Sequence, residues 1–195
     1  NTCDEQGAGF AADAYARLRG LGVVCVTYCV GGLKIANSTA QAFAEKSPVV
    51  VVSGAPGRNE RRSGLLLHHQ AKTLDSQFEM FRHITCDQAR LDDPATAGTE
   101  IARVLASARR LSQPVYVEMP RDTVLAKCRA APAQADAPLD REVLEACADE
   151  IIARLGRAAR PVLMVGVEVR RFGIEQEVAT LARTLGIPVV TSFMG

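Results

Sequence analysis

Three side chains in this 195-residue chain are suited to proton transfer: Glu5, His68 and His69. The chain contains only three histidines, and two of them are adjacent, directly after an apolar triplet at 65–67. Imidazole is the side chain that best transfers protons near neutral pH, so the pair is a candidate for acid–base catalysis. A pair of surface histidines without a chemical role explains this spacing equally well.

Metal ligation is the other chemistry that adjacent histidines suggest. No cysteine, aspartate or glutamate near His68 and His69 completes a set with the usual ligand spacing. The six cysteines form no CxxC pair, and Cys25 and Cys29 lie in or beside an apolar, strand-like run. We therefore expect no metal ligands in this chain, mostly buried thiols, and a reducing, cytoplasmic setting.

Glu5 lies in the first turn of a predicted alanine-rich helix that covers residues 5–19. Gly20 follows at the position where a left-handed C-cap residue is usual. Because a helix N-terminus favours negative charge, Glu5 is either a helix-start residue or a functional carboxylate. Its position alone favours the first interpretation, and the residues further along the chain decide whether the second holds.

Other polar and glycine residues follow the predicted strands. Gly31 and Gly32 either expose backbone amides to an anion or allow a tight strand-to-helix turn, and they form neither a GxGxxG nor a Walker motif. Glu118 lies in a strand-like run and is a candidate partner for an arginine. The loop after residue 53 is predicted to present three arginines to solvent, with the option of binding a carboxylate: Arg58, Arg61 and Arg62.

Helices and strands alternate along the first 120 residues, which predicts a parallel α/β architecture. Continuous β-branched runs are typical of parallel strands that are buried on both faces. Asp93–Pro94 marks a helix start, since aspartate is a favoured N-cap and proline is favoured at the first helical position. The predicted elements are helix 5–19, strand 23–28, helix 31–44, strand 49–53, helix 76–81, strand 83–88, helix 94–111 and strand 115–119.

A change of composition divides the chain into two predicted domains. Residues 1–122 form the first, and residues 123–138 have the alanine- and proline-rich composition of a linker. The second domain is predicted at 139–195, with helix 141–155, strand 161–166, helix 173–185 and strand 188–192. Both domains have few strands, so we expect the chain to be an internal piece of a longer protein.

Charge and hydropathy argue against two classes of partner. The net charge of +1 gives no electrostatic basis for binding nucleic acid or a membrane surface. No uninterrupted apolar run reaches the length of a membrane span. We therefore expect neither a nucleic acid nor a membrane as a partner.

Several motifs together resemble the pyrimidine-binding domain of thiamine diphosphate enzymes. The matching stretches are 4–5, 11–17, 27–33, 42–50, 53–56 and 67–69. The histidine pair is typical of the 2-keto acid decarboxylase branch, and stretches 67–70, 73–78 and 89–94 are most similar to bacterial indolepyruvate and phenylpyruvate decarboxylases. Residues 161–171 resemble the start of their middle domain, so the resemblance covers essentially the whole chain.

The resemblance implies a fold, a cofactor and a reaction. The fold is a three-layer α/β sandwich around a parallel sheet, followed by the beginning of a Rossmann-like central domain. The cofactors are thiamine diphosphate and Mg²⁺, and the ligands of the diphosphate and the metal are expected outside this chain. The reaction is the non-oxidative decarboxylation of a 2-keto acid, with phenylpyruvate or indolepyruvate as the expected substrate.

The resemblance also implies roles for individual residues. The Glu5 carboxyl would hydrogen-bond to the N1′ nitrogen of the aminopyrimidine and so help to remove the thiazolium C2 proton. His68 and His69 would donate or relay protons later in the reaction. The active site would lie between two subunits of a homodimer or homotetramer. The cofactor-binding residues would be Glu5, Tyr28, Val30 and Gly31.

One residue beside the candidate site departs from the family pattern. The family usually has asparagine or histidine before the catalytic glutamate, where this chain has Asp4. The family's first strand, with another catalytic aspartate, would precede residue 1, and its diphosphate-binding motif would follow residue 195.

Two other functions compete with decarboxylation. A carboligase of the acetolactate synthase kind would share Glu5 but not the histidine pair. A non-catalytic module that keeps the fold has no physical need for Glu5, His68 and His69 together. The three residues in one chain therefore favour the decarboxylase.

Overall fold

The computed structural model describes residues 2–132 and 138–193. The chain forms two compact units, Asn1–Gln134 and Ala135–Gly195. The linker predicted at 123–138 lies partly outside the described residues, as does the end of the second predicted domain.

The first unit is built around one parallel sheet. Its elements are α1 (Glu5–Arg19), β1 (Gly22–Val26), α2 (Val30–Lys34), α3 (Ala36–Ala44), β2 (Val49–Ala55), α4 (Arg58–Ser63), α5 (Ser76–Phe81), β3 (Asp87–Arg90), α6 (Pro94–Leu111) and β4 (Val115–Pro120). The strand order is β1-β2-β4-β3, and every pair is parallel. The predicted parallel α/β class is confirmed.

Strand β2 shows how the sheet is covered on both faces. Successive side chains of a strand point to opposite faces. Val49 and Val51 accordingly belong to one core cluster, whereas Val50 belongs to the other. Helices α1 and α3 contribute Ala12, Ala16 and Ala42 to the first cluster, and α6 contributes Ala97, Val104 and Ala108 to the second. The unit is therefore a three-layer sandwich with the sheet in the middle.

Local capping signals set the ends of the two long helices in this unit. The Asp4 carboxylate accepts a hydrogen bond from the Gly7 amide at 2.7 Å, and Asp93 accepts one from the Ala95 amide at 2.9 Å. Helix α1 ends at Gly20, whose φ of 85° lies in the left-handed region that glycine tolerates. The predicted bounds of both helices are confirmed.

Strands β1 and β3 differ from their predicted positions. β1 covers Gly22–Val26 and exposes every second side chain, so the prediction that both of its faces are buried was wrong. The reason is its place at the edge of the described sheet, where β2 is its neighbour. β3 begins at Asp87 instead of residue 83, because Thr85 donates back to the Phe81 carbonyl at 2.7 Å and extends the turn after α5.

Three further predictions were wrong. The arginine-rich segment after β2 is the helix α4, and Arg61 is only 17% exposed because it pairs with carboxylates. The expectation of mostly buried thiols also fails: Cys29 is buried, Cys86 is half-buried, and four cysteines are exposed. The predicted helix at 31–44 consists of two helices, α2 and α3, which meet at Ile35.

The second unit repeats the helix–strand order. Its elements are α7 (Arg141–Arg157), β5 (Leu163–Val165), α8 (Val167–Arg171), α9 (Glu175–Leu185) and β6 (Val189–Thr191). β5 and β6 pair in parallel, with Leu163 opposite Val189. The short helix α8 is the one element here that the sequence did not predict. Within the described residues, no helix is both long and apolar enough to cross a membrane.

Candidate functional site

The candidate site lies at the carboxyl edge of the four-stranded sheet. β1, β2 and β4 run in parallel and end at Val26, Ala55 and Pro120. Parallel strands present their carboxyl ends at one edge, which is where open α/β sheets bind ligands. The segment 27–31, which follows β1, and the segment 62–74, which carries the histidines, lie at this edge.

Glu5 stands at the start of α1 with a carboxylate that is available to a ligand. The residue is half-buried, and its side chain makes no hydrogen bond or ion pair within the described part of the chain. It lines an open pocket of about 370 Å³ together with Cys3, Asp4 and Lys34. A carboxylate held at a helix N-terminus without a protein partner can share a proton with a nitrogen heterocycle.

Asp4 has a structural task beside Glu5. Its carboxylate caps α1 and also pairs with Lys34 at 3.2 Å. The hydrogen bond from the Gly7 amide, and then the bond to Lys34, hold the pKa of Asp4 below its usual value. Since asparagine and aspartate are equally good N-caps, the departure of Asp4 from the family pattern keeps the helix start intact.

Gly31 is the point where α2 meets Glu5. A Cβ atom at residue 31 would lie 3.1 Å from Glu5 Oε1 and 2.9 Å from the Thr27 methyl group. Only glycine leaves the space between the carboxylate and the turn after β1 clear. Val30, the neighbouring residue, exposes about half of its side chain (52%) at the start of α2.

The histidine pair is held by the backbone of the segment after β1. His69 Nδ1 lies 3.0 Å from the carbonyl oxygen of Tyr28. Because a carbonyl can only accept, Nδ1 carries the proton and Nε2 is the nitrogen that remains for exchange. The two imidazole rings lie 3.8 Å apart, and both residues are exposed. His68 lines an open pocket of about 310 Å³ with Tyr28 and Leu67.

Tyr28 has a second feature beyond its carbonyl group. Its hydroxyl is buried and has no hydrogen-bond partner among the described residues. Burial, together with the nearby Cys29, raises the pKa of Tyr28 above its usual value. The side chain therefore offers a neutral hydroxyl donor at the floor of the site.

A buried polar network underlies the site, and the sequence analysis recognised only one member of it. Gln77 Nε2 donates to Ser53 Oγ at 2.7 Å and to the Tyr116 hydroxyl. Tyr116 in turn donates to Glu118 Oε1 at 2.9 Å, and Glu118 Oε2 accepts from Arg90 Nε at 2.7 Å. Burial, and then the Glu118 charge, raise the pKa of Tyr116, so this hydroxyl stays a donor.

The prediction that Glu118 pairs with an arginine is confirmed. The sheet register places Arg90 directly opposite Glu118, which explains the contact. The signal that could have found the rest of the network is the charge within the run 115–118, because a fully buried carboxylate requires donors. Gln77 and Tyr116 carry no such signal in the sequence.

The structure brings some of the predicted site residues together and keeps others apart. The segment 27–31 borders both halves of the site, since a Cβ at residue 31 would crowd Glu5 and the Tyr28 carbonyl lies 3.0 Å from His69 Nδ1. Glu5 and His68, however, line two different open pockets. Among the described residues there is no group of three or more side chains that could hold a metal ion.

Comparison with known proteins gives two family matches. Residues 1–80 match the thiamine pyrophosphate enzyme N-terminal TPP binding domain, and residues 148–195 match the thiamine pyrophosphate enzyme central domain. The chain is thus similar to two domains of one enzyme group, in their order along the chain.

Individual relatives agree with the family matches. The chain is 58% identical over 192 residues to indole-3-pyruvate decarboxylase from Azospirillum brasilense, an alignment that covers 98% of the chain and 35% of the relative. It is 35% identical over 200 residues to pyruvate decarboxylase from Aspergillus parasiticus, covering 99% of the chain and 35% of the relative. Pyruvate decarboxylase 3 from Arabidopsis thaliana is 33% identical over 202 residues, an alignment that covers 96% of the chain and 33% of the relative. The chain spans about a third of the length of these curated relatives.

Proposed function

We propose that the chain belongs to the thiamine pyrophosphate enzymes and supplies the proton-handling half of a 2-keto acid decarboxylase. The full-length protein would convert a 2-keto acid into an aldehyde and CO₂. The observation that carries this proposal is the unpartnered Glu5 carboxylate, which faces the glycine turn after β1.

The residues around Glu5 fit the aminopyrimidine part of thiamine diphosphate. A half-buried carboxylate without a protein partner matches a ring nitrogen that can carry a proton. Gly31 keeps the approach to that carboxylate clear, since any Cβ there would crowd Glu5 and Thr27. The exposed Val30 side chain adds an apolar surface for a flat ring.

The chain's own residues contribute to the reaction by binding and transferring protons. The bound cofactor supplies the electron sink for the carbon–carbon bond that breaks. Glu5 holds a proton at the ring nitrogen and so favours the form of the pyrimidine that acts as a base. Tyr28, Val30 and Gly31 orient the ring by lying beside it.

His68 and His69 manage the protons of the reacting substrate. Tyr28 fixes the His69 ring through Nδ1, which leaves Nε2 to give or take a proton. The His68 ring packs against the His69 ring at a tilt of 33° and lines the neighbouring pocket, where it can relay a proton to or from solvent. Both rings are exposed in this chain, so exclusion of water during the reaction falls to other parts of the protein.

We propose an aromatic 2-keto acid as the substrate, either indolepyruvate or phenylpyruvate. The identity of 58% to an indole-3-pyruvate decarboxylase, against 35% to a pyruvate decarboxylase, supports this choice. The ligands of Mg²⁺ and of the diphosphate lie outside this chain, and the family resemblance supports a homodimer or homotetramer with the site between subunits. Six free cysteines support a reducing, cytoplasmic setting.

The test is Glu5→Gln in the full-length protein. Glutamine keeps the shape but cannot share a proton, so hydrogen–deuterium exchange at C2 of bound thiamine diphosphate should slow about a hundredfold to a thousandfold. The exchange is measured by NMR after acid quench, and aldehyde formation from indole-3-pyruvate is measured in parallel.

The matched control is Glu79→Gln, which makes the same change in the first turn of another helix, on the surface. It should leave both rates unchanged. Wild-type exchange in Glu5→Gln would reduce Glu5 to a helix-start residue and overturn the proposal. A ligated product in place of the aldehyde would favour the carboligase.

A further inference from the structure

The segment that carries the two histidines is closed at its base by an ion pair. We call residues 62–74 the histidine loop; it begins with the last two residues of α4 and leads to α5. Arg61, just before it, donates from Nη1 to Asp75 Oδ1, just after it, at 2.9 Å. The two ends of the loop are therefore bonded to each other, while its middle is exposed.

The same carboxylate ties the loop to the sheet. Asp75 Oδ1 also accepts from Arg90 Nη2 at 2.7 Å, and Arg90 Nε donates to the fully buried Glu118 at 2.7 Å. Arg90 is held from two sides, because its guanidinium also lies 4.4 Å from the Phe78 ring centroid. Arg61 Nη2 also lies 3.6 Å from Glu118 Oε2, so the loop base is linked to β4 directly as well as through Asp75. Asp75 is the residue that bonds both arginines, Arg61 and Arg90.

The conformation inside the loop is one that free peptides rarely adopt. His69 has a φ of 66°, in the left-handed region that is unfavourable for residues with a side chain. Three hydrogen bonds maintain it: His69 Nδ1 to the Tyr28 carbonyl at 3.0 Å, the Leu67 amide to Gln70 Oε1 at 3.1 Å, and the Gln70 amide to the Leu67 carbonyl at 3.1 Å. A strained conformation of this kind persists only where the surroundings impose it, so the position of the loop base matters for the histidines.

We propose that Asp75 is a positioning residue for His68 and His69, which it serves by clamping the base of the histidine loop to the sheet through Arg61 and Arg90. The proposal rests on the proposed function, because it takes the two histidines as the groups that handle substrate protons. Asp75 itself touches no reacting atom and acts through the geometry of the loop.

The test is Asp75→Asn in the full-length protein, with Asp149→Asn as the matched control. Asp149 is exposed on α7 and has no charged or hydrogen-bonded side-chain partner in the described chain. Loss of the clamp should lower kcat for indole-3-pyruvate about tenfold, since misplaced catalytic groups lose rate steeply. Exchange at C2 of thiamine diphosphate, which depends on Glu5, should stay within about twofold of wild type, because Asp75 does not contact the Glu5 half. Asp75→Glu should recover part of kcat.

A second readout needs no cofactor. The histidine loop contains tryptic sites after Arg62 and Lys72, and the cofactor-free Asp75→Asn protein should be cut there about tenfold faster than wild type, as local opening becomes easier. Wild-type kcat together with wild-type cleavage would overturn the proposal and make Asp75 an ordinary surface ion pair. A parallel fall of kcat and C2 exchange would also overturn it, since that pattern indicates general loss of structure.

A different set of results would overturn the proposed function itself. Should His68→Ala and His69→Ala both keep full turnover, the histidines are not the proton-handling groups, and the role assigned to Asp75 falls with them. Faster cleavage of the loop in Asp75→Asn would then still report a clamp, but one without a catalytic purpose.

Discussion

Glu118 shows what a single buried charge demands of its neighbours. Its carboxylate is fully buried in β4 and accepts from Tyr116 and Arg90. An unpaired carboxylate at such a place would cost several kcal/mol, so the buried side chain requires these donors. The sequence shows the carboxylate but not the roles of Tyr116 and Gln77, because Tyr116 looks like an ordinary core residue of the same strand and Gln77 comes from a separate helix.

Cys86 gives a prediction at the same scale. Burial, and then the neighbouring Asp87, raise the pKa of its thiol to about 11 from a usual value of 9.0. At pH 8 its thiolate fraction is about a hundredfold lower than that of an unperturbed thiol, so alkylation should be slower by a similar factor. Iodoacetamide labelling followed by peptide mass spectrometry measures the rates for all six cysteines of the chain.

The exposed Cys128 serves as the internal reference for this labelling. Its rate should exceed that of Cys86 in the native protein, and the two rates should become equal in urea. Equal rates under native conditions would show that Cys86 is neither buried nor perturbed.

At the scale of the elements, α2 and α5 approach each other at Gly32. A Cβ at residue 32 would lie 2.3 Å from the amide carbon and oxygen of Gln77, whose side chain is fully buried. Gly32→Ala must therefore displace an amide that bonds Ser53 and Tyr116. We expect this overpacking to cost about 1–3 kcal/mol in the free energy of unfolding, measured by urea titration of the full-length protein.

The control for this substitution is Gly156→Ala in α7. No atom lies within 4 Å of a Cβ at that position, so alanine should stabilise the helix by about 0.5–1 kcal/mol. The same substitution, glycine to alanine, should therefore lower the free energy of unfolding at residue 32 and raise it at residue 156. A neutral result at Gly32 would mean that Gln77 can move without cost.

The elements also show which parts of the fold the sequence can predict. Helix α6 begins where Asp93 and Pro94 indicate, because an N-cap is a local interaction. The bounds of β3 were not predictable in the same way, since the turn after α5 depends on Thr85 bonding back to Phe81. Asp75 was missed because its partners, Arg61 and Arg90, come from separate elements that only the tertiary fold brings together.

At the scale of the whole first unit, two carboxylates couple stability to pH. A hydrogen bond from the Gly7 amide lowers the pKa of Asp4. For Asp75, burial alone would raise the pKa, but the pairs with Arg61 and Arg90 outweigh burial, and the pKa of Asp75 is lowered overall. A carboxylate whose pKa is lower in the folded than in the unfolded state stabilises the fold fully when the pH is above the usual pKa of 3.8. This stabilisation is lost as the pH falls through the folded pKa. The urea midpoint should therefore drop as the pH is lowered below 3.8.

The Asp75→Asn variant separates the contribution of the loop base to the pH dependence of stability from that of Asp4. The variant cannot titrate at this position, so its urea midpoint should fall less with acidification than that of wild type. Identical pH dependence in the two proteins would show that Asp75 contributes nothing to the acid sensitivity of the unit.

The strand order has a consequence for how the protein is made on the ribosome. β4 leaves the ribosome after the other three strands but lies between β2 and β3. Until it inserts, β3 lacks the neighbour to which it bonds in the described sheet, and Arg90 lacks Glu118. A nascent chain that has already released both histidines therefore cannot yet hold them in place. The described sheet can therefore be completed only after Pro120 has emerged from the ribosome, and the Arg90–Glu118 contact forms at the same stage.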